Sequence, residues 1–373
     1  MNKTSRVLLA LLLMLIFINA FFIRIGYKYI PQGISEQYYA IHPMYFTEPG
    51  RNKNNRRHFT DNNAHGMIPL PLAELVQTAK AAETICPDGA SPVLDTILEQ
   101  NSSSTRKIPR VIHMTSKSRC ATPEVHAIVN QWRLAGHSLY FHDDDAVERL
   151  TSHPLSQSSF PLLNETLKCV TNGATRSDLW RYLVLYTFGG IYTDIDNLPR
   201  GFNADTISNE DDSFFVIESL GIVSQYFIAS SPHHPLMMLS LEDGINNLRG
   251  IVNVMRNNPS RTTGPAALKR GFINFMNGTS TGYIDAGKYF GMNNRSVTAI
   301  GNKANPKEYV DRGGLDAASK KRYYAAMGMQ HFHDLHKLSS QGRISCREHL
   351  KMTNGTNKIA KYVFNGSMYV DES

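Results

Sequence analysis

Apolar and polar residues alternate in short blocks along the middle of the chain. An apolar run with β-branched residues begins at Ile108 and predicts a buried strand, whereas Thr122–Ala135 has the spacing of a helix. Ser138–Phe141 is a second predicted strand. A helix is predicted over Thr175–Phe188 and a strand over Ile191–Ile195. Because short strands and helices alternate, we expect an α/β domain with a mostly parallel sheet.

The N-terminal segment 7–23 is apolar and carries no charge. As a helix it would be about 26 Å long, which is enough to cross a thin bilayer of the secretory pathway. A cleaved signal peptide is the alternative, but the run is long for one, and Ile18 and Ala20 form a poor cleavage site. The pattern favours a transmembrane signal anchor.

Composition divides the rest of the chain. Residues 24–105 are rich in Pro, Asn, Gln and charge, which is typical of a stem that separates a domain from a membrane, with one helix around Pro71–Glu83. We expect a cytosolic tail at 1–6, the anchor at 7–23, the stem at 24–105, a folded domain at 106–340 and a C-terminal extension at 341–373.

Two residue patterns indicate that the domain lies in a lumen. Glycosylation sequons of the form Asn-X-Ser/Thr follow the predicted anchor, at Asn101, Asn164, Asn277, Asn294, Asn354 and Asn365. The four cysteines are Cys86, Cys120, Cys169 and Cys346. An even number is expected where disulfides can form, and the three possible full pairings remain open. No Cys-X-X-Cys is present, so zinc ligation by thiolates is not expected.

The formal net charge is +7, but the basic residues are scattered along the chain. No basic stripe with interleaved aromatic residues is present, so we expect no nucleic-acid partner. A basic surface would suit an enzyme that binds nucleotide diphosphates or a protein that works near anionic membrane lipids. A need for solubility alone would also explain the positive charge.

The candidate chemistry lies just after the predicted helix Thr175–Phe188. Gly189 and Gly190 end that helix, and the carboxylates of Asp194 and Asp196 follow at the end of the next strand. Side chains two apart on an extended chain point the same way, and paired carboxylates suit Mn²⁺ or Mg²⁺. Such an ion would bind diphosphate oxygens. An Asp-X-Asp by itself is also common in solvated turns.

Asp178 and Arg181 are three positions apart on the predicted helix and therefore share a face. The guanidinium group could contact phosphate, and the carboxylate could accept hydrogen bonds from sugar hydroxyls. From the spacing alone, an ordinary ion pair on a helix surface is the alternative.

Taken as one string, these residues resemble glycosyltransferase family 32, and within it the initiating α-1,6-mannosyltransferases. The family shows a Ser-Asp-Leu-Trp-Arg-Tyr helix, then Gly-Gly-Ile-Tyr and an Asp-X-Asp, which match Ser177–Tyr182, Gly189–Tyr192 and Asp194–Asp196. An upstream strand of the family corresponds to Ile108–His113, and a Thr-Gly-Pro corresponds to Thr263–Pro265. The resemblance covers roughly residues 108–335.

The resemblance implies a GT-A fold, which is Rossmann-like, a nucleotide-sugar donor, Mn²⁺ or Mg²⁺, and transfer with retention of anomeric configuration. It implies catalytic roles for Asp194, Asp196, Asp178 and Arg181. It implies a donor site formed by His113, Tyr192, Asp178, Arg181 and Asp194, and metal ligation by Asp196 and Asp194. For Tyr192 and His113, a packing role is the alternative.

Two departures from the family bear on this site. Members commonly carry Trp three residues after the His of the first strand, where this chain has Ser116. Many members also carry a late His followed by Ser-Trp, and the corresponding part of this chain has no Trp. His331 is the candidate third metal ligand, although His331, His333 and His336 could also form a surface cluster. A dedicated zinc site is not expected, because zinc recruits a tighter set of ligands.

We expect GDP-mannose as the donor, because the helix motif most resembles the mannosyltransferase branch, with UDP-galactose or UDP-N-acetylglucosamine as alternatives. The acceptor would be a glycan or glycolipid, and the protein a single-pass type II protein of the Golgi membrane. A non-catalytic lumenal relative that binds nucleotide sugars is a further alternative. A phosphohydrolase that uses the first Asp of Asp-X-Asp is disfavoured, because Leu198 stands where that class has Thr or Val and because Gly-Gly opens the strand. A glycosidase is disfavoured because the two carboxylates are too close together to flank a scissile bond.

Overall fold

The computed structural model describes residues 71–98, 106–168, 170, 173–217, 223–250, 259–278, 284–301 and 309–329, together with short strands at 362–364 and 369–371. The predicted anchor at 7–23 and His331 lie outside these residues. Among the helices so described, none combines the length and the apolarity that crossing a bilayer would require.

Most of the strands in the described residues belong to one central sheet. They are β1 (Ser91–Pro92), β2 (Val111–Thr115), β3 (Cys120–Ala121), β4 (Ser138–His142), β5 (Gly190–Thr193), β6 (Ser213–Ile217), β7 (Val223–Ser230), β8 (Gly287–Phe290), β9 (Ser296–Gly301), β10 (Tyr362–Phe364) and β11 (Tyr369–Asp371). The central sheet has the order β4-β2-β5-β7-β6-β9-β8, while β1 pairs with β3 and β10 with β11.

Strand directions in the central sheet are mixed. β2 is parallel to β4 and β5, and β9 is parallel to β6. β7 runs antiparallel to both β5 and β6, and β8 runs antiparallel to β9. The prediction of a mostly parallel α/β sheet is therefore confirmed, with β7 and β8 as antiparallel members. The short connection between β6 and β7 is of a length that joins antiparallel strands, since parallel neighbours need a longer crossover.

The described helices pack on both faces of this sheet. They are α1 (Leu72–Leu75), α2 (Pro123–Gln131), α3 (Asp144–Ser152), α4 (Pro154–Ser159), α5 (Leu163–Leu167), α6 (Gly173–Phe188), α7 (Pro235–Gly250), α8 (Pro259–Thr262), α9 (Pro265–Phe275) and α10 (Ala317–Ala326), with 3₁₀ turns at Thr78–Glu83 and Met292–Asn294. The helices predicted over 122–135 and 175–188 correspond to α2 and α6. The helix predicted over 71–83 is interrupted, because Gln77 has a left-handed φ of 51°.

Alternate residues of each strand enter different apolar layers, as the two-residue period of a strand requires. Ile191 of β5 and Phe214 of β6 pack in one layer with residues of α2 and α10. Their neighbours Tyr192 and Phe215 pack in the other layer with residues of α6, α7 and α9. The described helices thus cover the sheet on both faces.

Residues 71–98, which the sequence assigns to the stem, pack against the α/β domain. Val93 is fully buried, and Asp95 accepts a hydrogen bond of 3.0 Å from the buried Arg119. A disulfide joins Cys86 to Cys120. The other two cysteines lie outside the described residues. This segment is therefore held to the domain by burial, by an ion pair and by a covalent bond.

The turn between α6 and β5 can be formed only by glycine. Gly189 and Gly190 have φ values of 65° and 99°. A Cβ atom on Gly190 would lie 2.5 Å from the carbonyl oxygen of Val111, and one on Gly189 would lie 2.6 Å from Cδ of Pro232. This turn brings the chain directly from the end of α6 into β5 and so places the Asp-X-Asp at the carboxyl end of that strand.

His113 of β2 lies behind this turn and is fully buried. Its Nε2 lies 3.0 Å from the carbonyl oxygen of Gly189, and its Nδ1 lies 3.1 Å from Nε2 of His142. A neutral imidazole donates through one nitrogen only, so His113 donates to Gly189 and accepts from His142. Burial lowers the pKa of His113 to about 4.

Acid is expected to destabilise the fold through His113. Its pKa is about 4 in the folded protein and about 6.5 in an unfolded chain, so between these pH values only the unfolded state takes up the proton. The stabilisation is complete above about pH 6.5 and is lost as the pH falls towards 4, by about 1.4 kcal/mol per pH unit. Urea unfolding across this pH range should show this slope in the difference between the free energies of unfolding of the wild type and of His113→Gln.

The glutamine of that variant keeps a donor for the Gly189 carbonyl but cannot be protonated. His233→Gln, which removes an exposed imidazole, is the control for the loss of a histidine elsewhere. Free energies of unfolding that fall in parallel for the wild type and His113→Gln would contradict the assignment of His113 as a buried neutral base.

Candidate functional site

A cavity of about 690 Å³ opens at the carboxyl ends of β2 and β5, beside the start of β7. Ligands of open α/β sheets bind at this edge. Its described walls carry both signs of charge. The acidic residues are Asp144, Asp178, Asp194 and Asp196, and the basic residues are Lys117, Arg176, Arg181, Arg312 and Lys320. A polar, charged ligand fits this lining better than an apolar one.

Asp194 follows β5 and is held by two neighbours. The hydroxyl of Tyr192 donates to its Oδ1 over 2.5 Å, and Nη1 of Arg181 lies 3.6 Å from the same oxygen. The guanidinium carbon of Arg181 also lies 4.4 Å from the centroid of the Tyr192 ring. Burial raises the pKa of Asp194; Arg181 opposes this rise, and the neighbouring Asp196 adds to it.

Asp178 of α6 lies at the base of the cavity and is 2% exposed. Its Oδ1 accepts from Nε2 of Gln225 over 2.7 Å and lies 3.0 Å from Nη2 of Arg181, while its Oδ2 accepts from the hydroxyl of Thr263 over 2.8 Å. Burial raises the pKa of Asp178 to about 6, although Arg181 and both hydrogen bonds lower it. The predicted helix pair is therefore a buried ion pair rather than a surface one.

Arg181 joins this network to the sheet. Besides its two carboxylate partners, its Nη1 donates over 2.9 Å to the carbonyl oxygen of Gln225 at the start of β7. Burial would lower the pKa of Arg181, but Tyr192, Asp194 and Asp178 raise it above its ordinary value. The guanidinium group is thus held, positively charged, between α6, β5 and β7.

Asp196 pairs with a residue far along the chain. Its Oδ2 lies 2.6 Å from Nζ of Lys320 on α10, and its carbonyl oxygen accepts from the amide of Gly314 over 2.9 Å. Burial would lower the pKa of Lys320, but Asp196 and the hydrogen bond to it raise it. The second carboxylate of the Asp-X-Asp therefore has a cationic partner, as the first does.

The donor set at the Asp-X-Asp fits a divalent cation. The side chains of Asp194 and Asp196 are 33% and 21% exposed, and both line the cavity. Each has one oxygen, Oδ2 of Asp194 and Oδ1 of Asp196, that accepts no hydrogen bond from the described residues. No cluster of three or more His, Cys, Asp or Glu that could hold a metal occurs in the described part of the chain. Diphosphate oxygens and water would complete the shell.

The structure brings five of the predicted site residues together and leaves one apart. Asp178, Arg181, Tyr192, Asp194 and Asp196 all line the cavity. His113 is not among the described residues that line it and is instead buried against the Gly-Gly turn. The proposed ligand role of His331 stays a prediction, because that residue lies outside the described ranges.

Aromatic residues from α10 face the position where the family commonly has Trp. Oγ of Ser116 lies 2.5 Å from the hydroxyl oxygen of Tyr323, and Tyr324 lines the cavity beside it. Trp132 and Trp180 are both fully buried in the core. Of the two tyrosines, Tyr323 is fully buried and Tyr324 is half-buried.

Sequence reasoning missed two residues of this site. Gln225 lies in a strand whose residues are all buried, and Lys320 lies among charged neighbours on α10. Neither position carries a local pattern that distinguishes it from packing or from a solvated helix face. Only the pairing of β5 with β7 and the return of α10 to the sheet edge bring these side chains to Asp178 and Asp196.

Parts of this chain resemble known proteins. Residues 84–213 match the model of a family described as a glycosyltransferase sugar-binding region containing a DXD motif. The initiation-specific alpha-1,6-mannosyltransferase of Schizosaccharomyces pombe is 34% identical over 95 residues, which are 25% of this chain and 24% of that protein. The chain thus spans about a quarter of the length of that relative.

A solved structure, the PaToxG Glycosyltransferase, aligns with a TM-score of 0.37 and 16% identity over 47% of this chain and 72% of that chain. The match to the family model is the more informative finding, since it contains the α6 pair, the Gly-Gly turn and the acidic pair. This match supports the resemblance to glycosyltransferase family 32 over residues 84–213.

Proposed function

We propose that the protein is a retaining, metal-dependent glycosyltransferase with a GT-A fold. It transfers a sugar from a nucleotide-sugar donor to a glycan or glycolipid acceptor in the Golgi lumen, with segment 7–23 as its membrane anchor. The observation that carries this proposal is the cavity at the carboxyl edge of the sheet, which both carboxylates of the DXD motif line and where Asp194 pairs with the buried Arg181.

The buried network gives each residue a role in donor binding. Gln225 and Thr263 donate to Asp178, and Asp178 with Asp194 fixes the guanidinium group of Arg181. A fixed guanidinium group loses little conformational freedom when it binds an anion or a sugar oxygen. Tyr192 holds Asp194 in one orientation through its hydroxyl group.

Asp194 and Asp196 would hold Mn²⁺ or Mg²⁺ through the carboxylate oxygens that accept no hydrogen bond from the described residues. When bound, the ion would neutralise charge on the leaving diphosphate. Before a cation binds, these two carboxylates already have cationic partners in the protein. The basic residues Arg181 and Lys320 then balance them on either side.

The surroundings of Asp178 argue against this residue as a nucleophile that would bond covalently to the sugar. Both of its oxygens are engaged by donors, and its side chain is buried, so it is poorly placed to attack an anomeric carbon. In front-face transfer, the bond from the anomeric carbon to the phosphate oxygen breaks while the acceptor oxygen bonds on the same face. The acceptor proton goes to the leaving diphosphate, which makes a second catalytic carboxylate unnecessary.

The donor is best tested directly. We expect GDP-mannose to be the preferred donor, because the matched relative is named an alpha-1,6-mannosyltransferase. The full chain, purified in detergent with Mn²⁺, would be given GDP-mannose, UDP-galactose and UDP-N-acetylglucosamine, and release of nucleoside diphosphate would be measured. Nucleotide binding without turnover of any donor would favour the alternative of a non-catalytic sugar-nucleotide-binding relative.

Replacing either DXD carboxylate by its amide should abolish transfer. Asp194→Asn and Asp196→Asn keep the side-chain shape but lose the charge that holds a cation, so we expect turnover to fall at least about 100-fold. Addition of a chelator should have the same effect on the wild type. Asp205→Asn, at an exposed acid outside the cavity, is the matched control. Near-normal turnover in either DXD variant would refute the metal role.

Tyr192→Phe should lower turnover while the protein stays folded. The ring keeps its packing under Arg181, but Asp194 loses the hydrogen bond that orients it. A hydrogen bond to a charged group contributes about 1.5–3 kcal/mol, so we expect kcat/KM to fall by about tenfold or more.

Tyr289→Phe provides the comparison, because its hydroxyl donates to the carbonyl oxygen of Asp285 and does not line the cavity. Thermal unfolding would show that both phenylalanine variants are folded. Equal kcat/KM in the two variants and the wild type would mean that the Tyr192 hydroxyl does not position Asp194 for the reaction.

A further inference from the structure

Lys320 is the cation of α10 that points into the donor cavity. Its Nζ lies 2.6 Å from Oδ2 of Asp196, and the two side chains are 32% and 21% exposed. The ammonium group also lies 5.9 Å from the centroid of the Tyr324 ring. The neighbouring Lys321 and Arg322 are exposed and do not line the cavity. One lysine of a basic helical segment is thus directed at the DXD motif.

This ion pair and a bound divalent cation compete for the same carboxylate. Two positive charges within a few ångströms of each other repel strongly in a partly buried site. A cation held by Asp194 and Asp196 would therefore displace the ammonium group from Asp196. The lysine side chain has a flexible four-carbon stem and can move to another anion in the cavity without a change of the backbone.

The diphosphate of the donor is the anion that becomes available at that moment. Other basic residues on the described cavity wall already have protein partners. Lys117 donates to the carbonyl oxygen of Gly328, Arg176 pairs with Glu148, and Arg181 pairs with Asp178 and Asp194. The guanidinium carbon of Arg312 lies 5.1 Å from the centroid of the Tyr226 ring. Lys320 differs because Asp196, the carboxylate that it pairs with among the described residues, is a group that the metal would take. Arg181 would keep Asp178 as a partner if the metal took Asp194.

We propose that Lys320 is a donor-binding residue that exchanges partners: it neutralises Asp196 in the empty site and contacts the diphosphate once a divalent cation is bound. This inference rests on the proposed function. It explains why a metal-binding carboxylate carries an ammonium partner from a remote helix. Lysine is suited to this because it binds phosphate as a point charge from several directions.

Two affinities should change in opposite directions when the ammonium group is removed. In Lys320→Met, Mn²⁺ alone should bind several-fold more tightly, because no internal cation competes for Asp196. GDP or UDP in saturating Mn²⁺ should bind about tenfold more weakly, because one charge-assisted contact to phosphate is lost. Free Mn²⁺ would be counted by electron paramagnetic resonance, and nucleotide binding by calorimetry, on the full chain in detergent.

Three further variants make the result specific. Lys321→Met removes an exposed charge one residue away and should match the wild type in both measurements. Lys320→Arg keeps the charge and should retain most of the nucleotide affinity. Lys320→Gln repeats the test with a polar side chain, in case the methionine variant unfolds.

The possible outcomes separate this inference from the proposed function. If the wild type binds neither Mn²⁺ nor either nucleoside diphosphate, the proposed function itself fails. If the wild type binds both, and removal of the lysine charge leaves the two affinities unchanged or shifts them in the same direction, the ion pair is only a structural clamp of α10. Opposite shifts, absent in Lys321→Met, would support the exchange.

Discussion

The burial of one guanidinium group organises this site. Arg181 is 5% exposed, and a charge removed from water must be paired and hydrogen-bonded to be tolerated. The pairing is met by Asp178, by Asp194 and by the carbonyl oxygen of Gln225. These partners come from α6, from the segment after β5 and from β7, so the electrostatic requirement of a single side chain holds three elements in register at the cavity.

The remaining charges follow from that arrangement. Asp178 needs donors for both of its oxygens, which Gln225 and Thr263 supply, and the hydroxyl of Tyr182 in turn donates to Gln225. A network of this kind is stabilising only when its members are satisfied together. Asp196 lies outside it and is balanced by Lys320, whose side chain is more exposed. The site thus combines a buried, rigid half with a half that can exchange partners.

Much of the site could be predicted because its sequence is local. The helix bearing Asp178 and Arg181, the Gly189–Gly190 turn and the acidic pair lie within one short stretch, and their spacing of three or two residues specifies shared faces. The predicted mostly parallel α/β sheet is confirmed for the same reason. The antiparallel course of β7 and β8 could not be predicted, because strand periodicity is the same in either direction.

The sequence by itself determined the family-like motif, the α/β alternation and the carboxylates at the end of a strand, since helices and strands are encoded by neighbouring residues. Tertiary structure alone decided that His113 is buried against Gly189, that Gln225 closes the network around Asp178, and that Lys320 reaches Asp196. These contacts join residues far apart along the chain. Their geometry depends on how the elements pack, which no local spacing encodes.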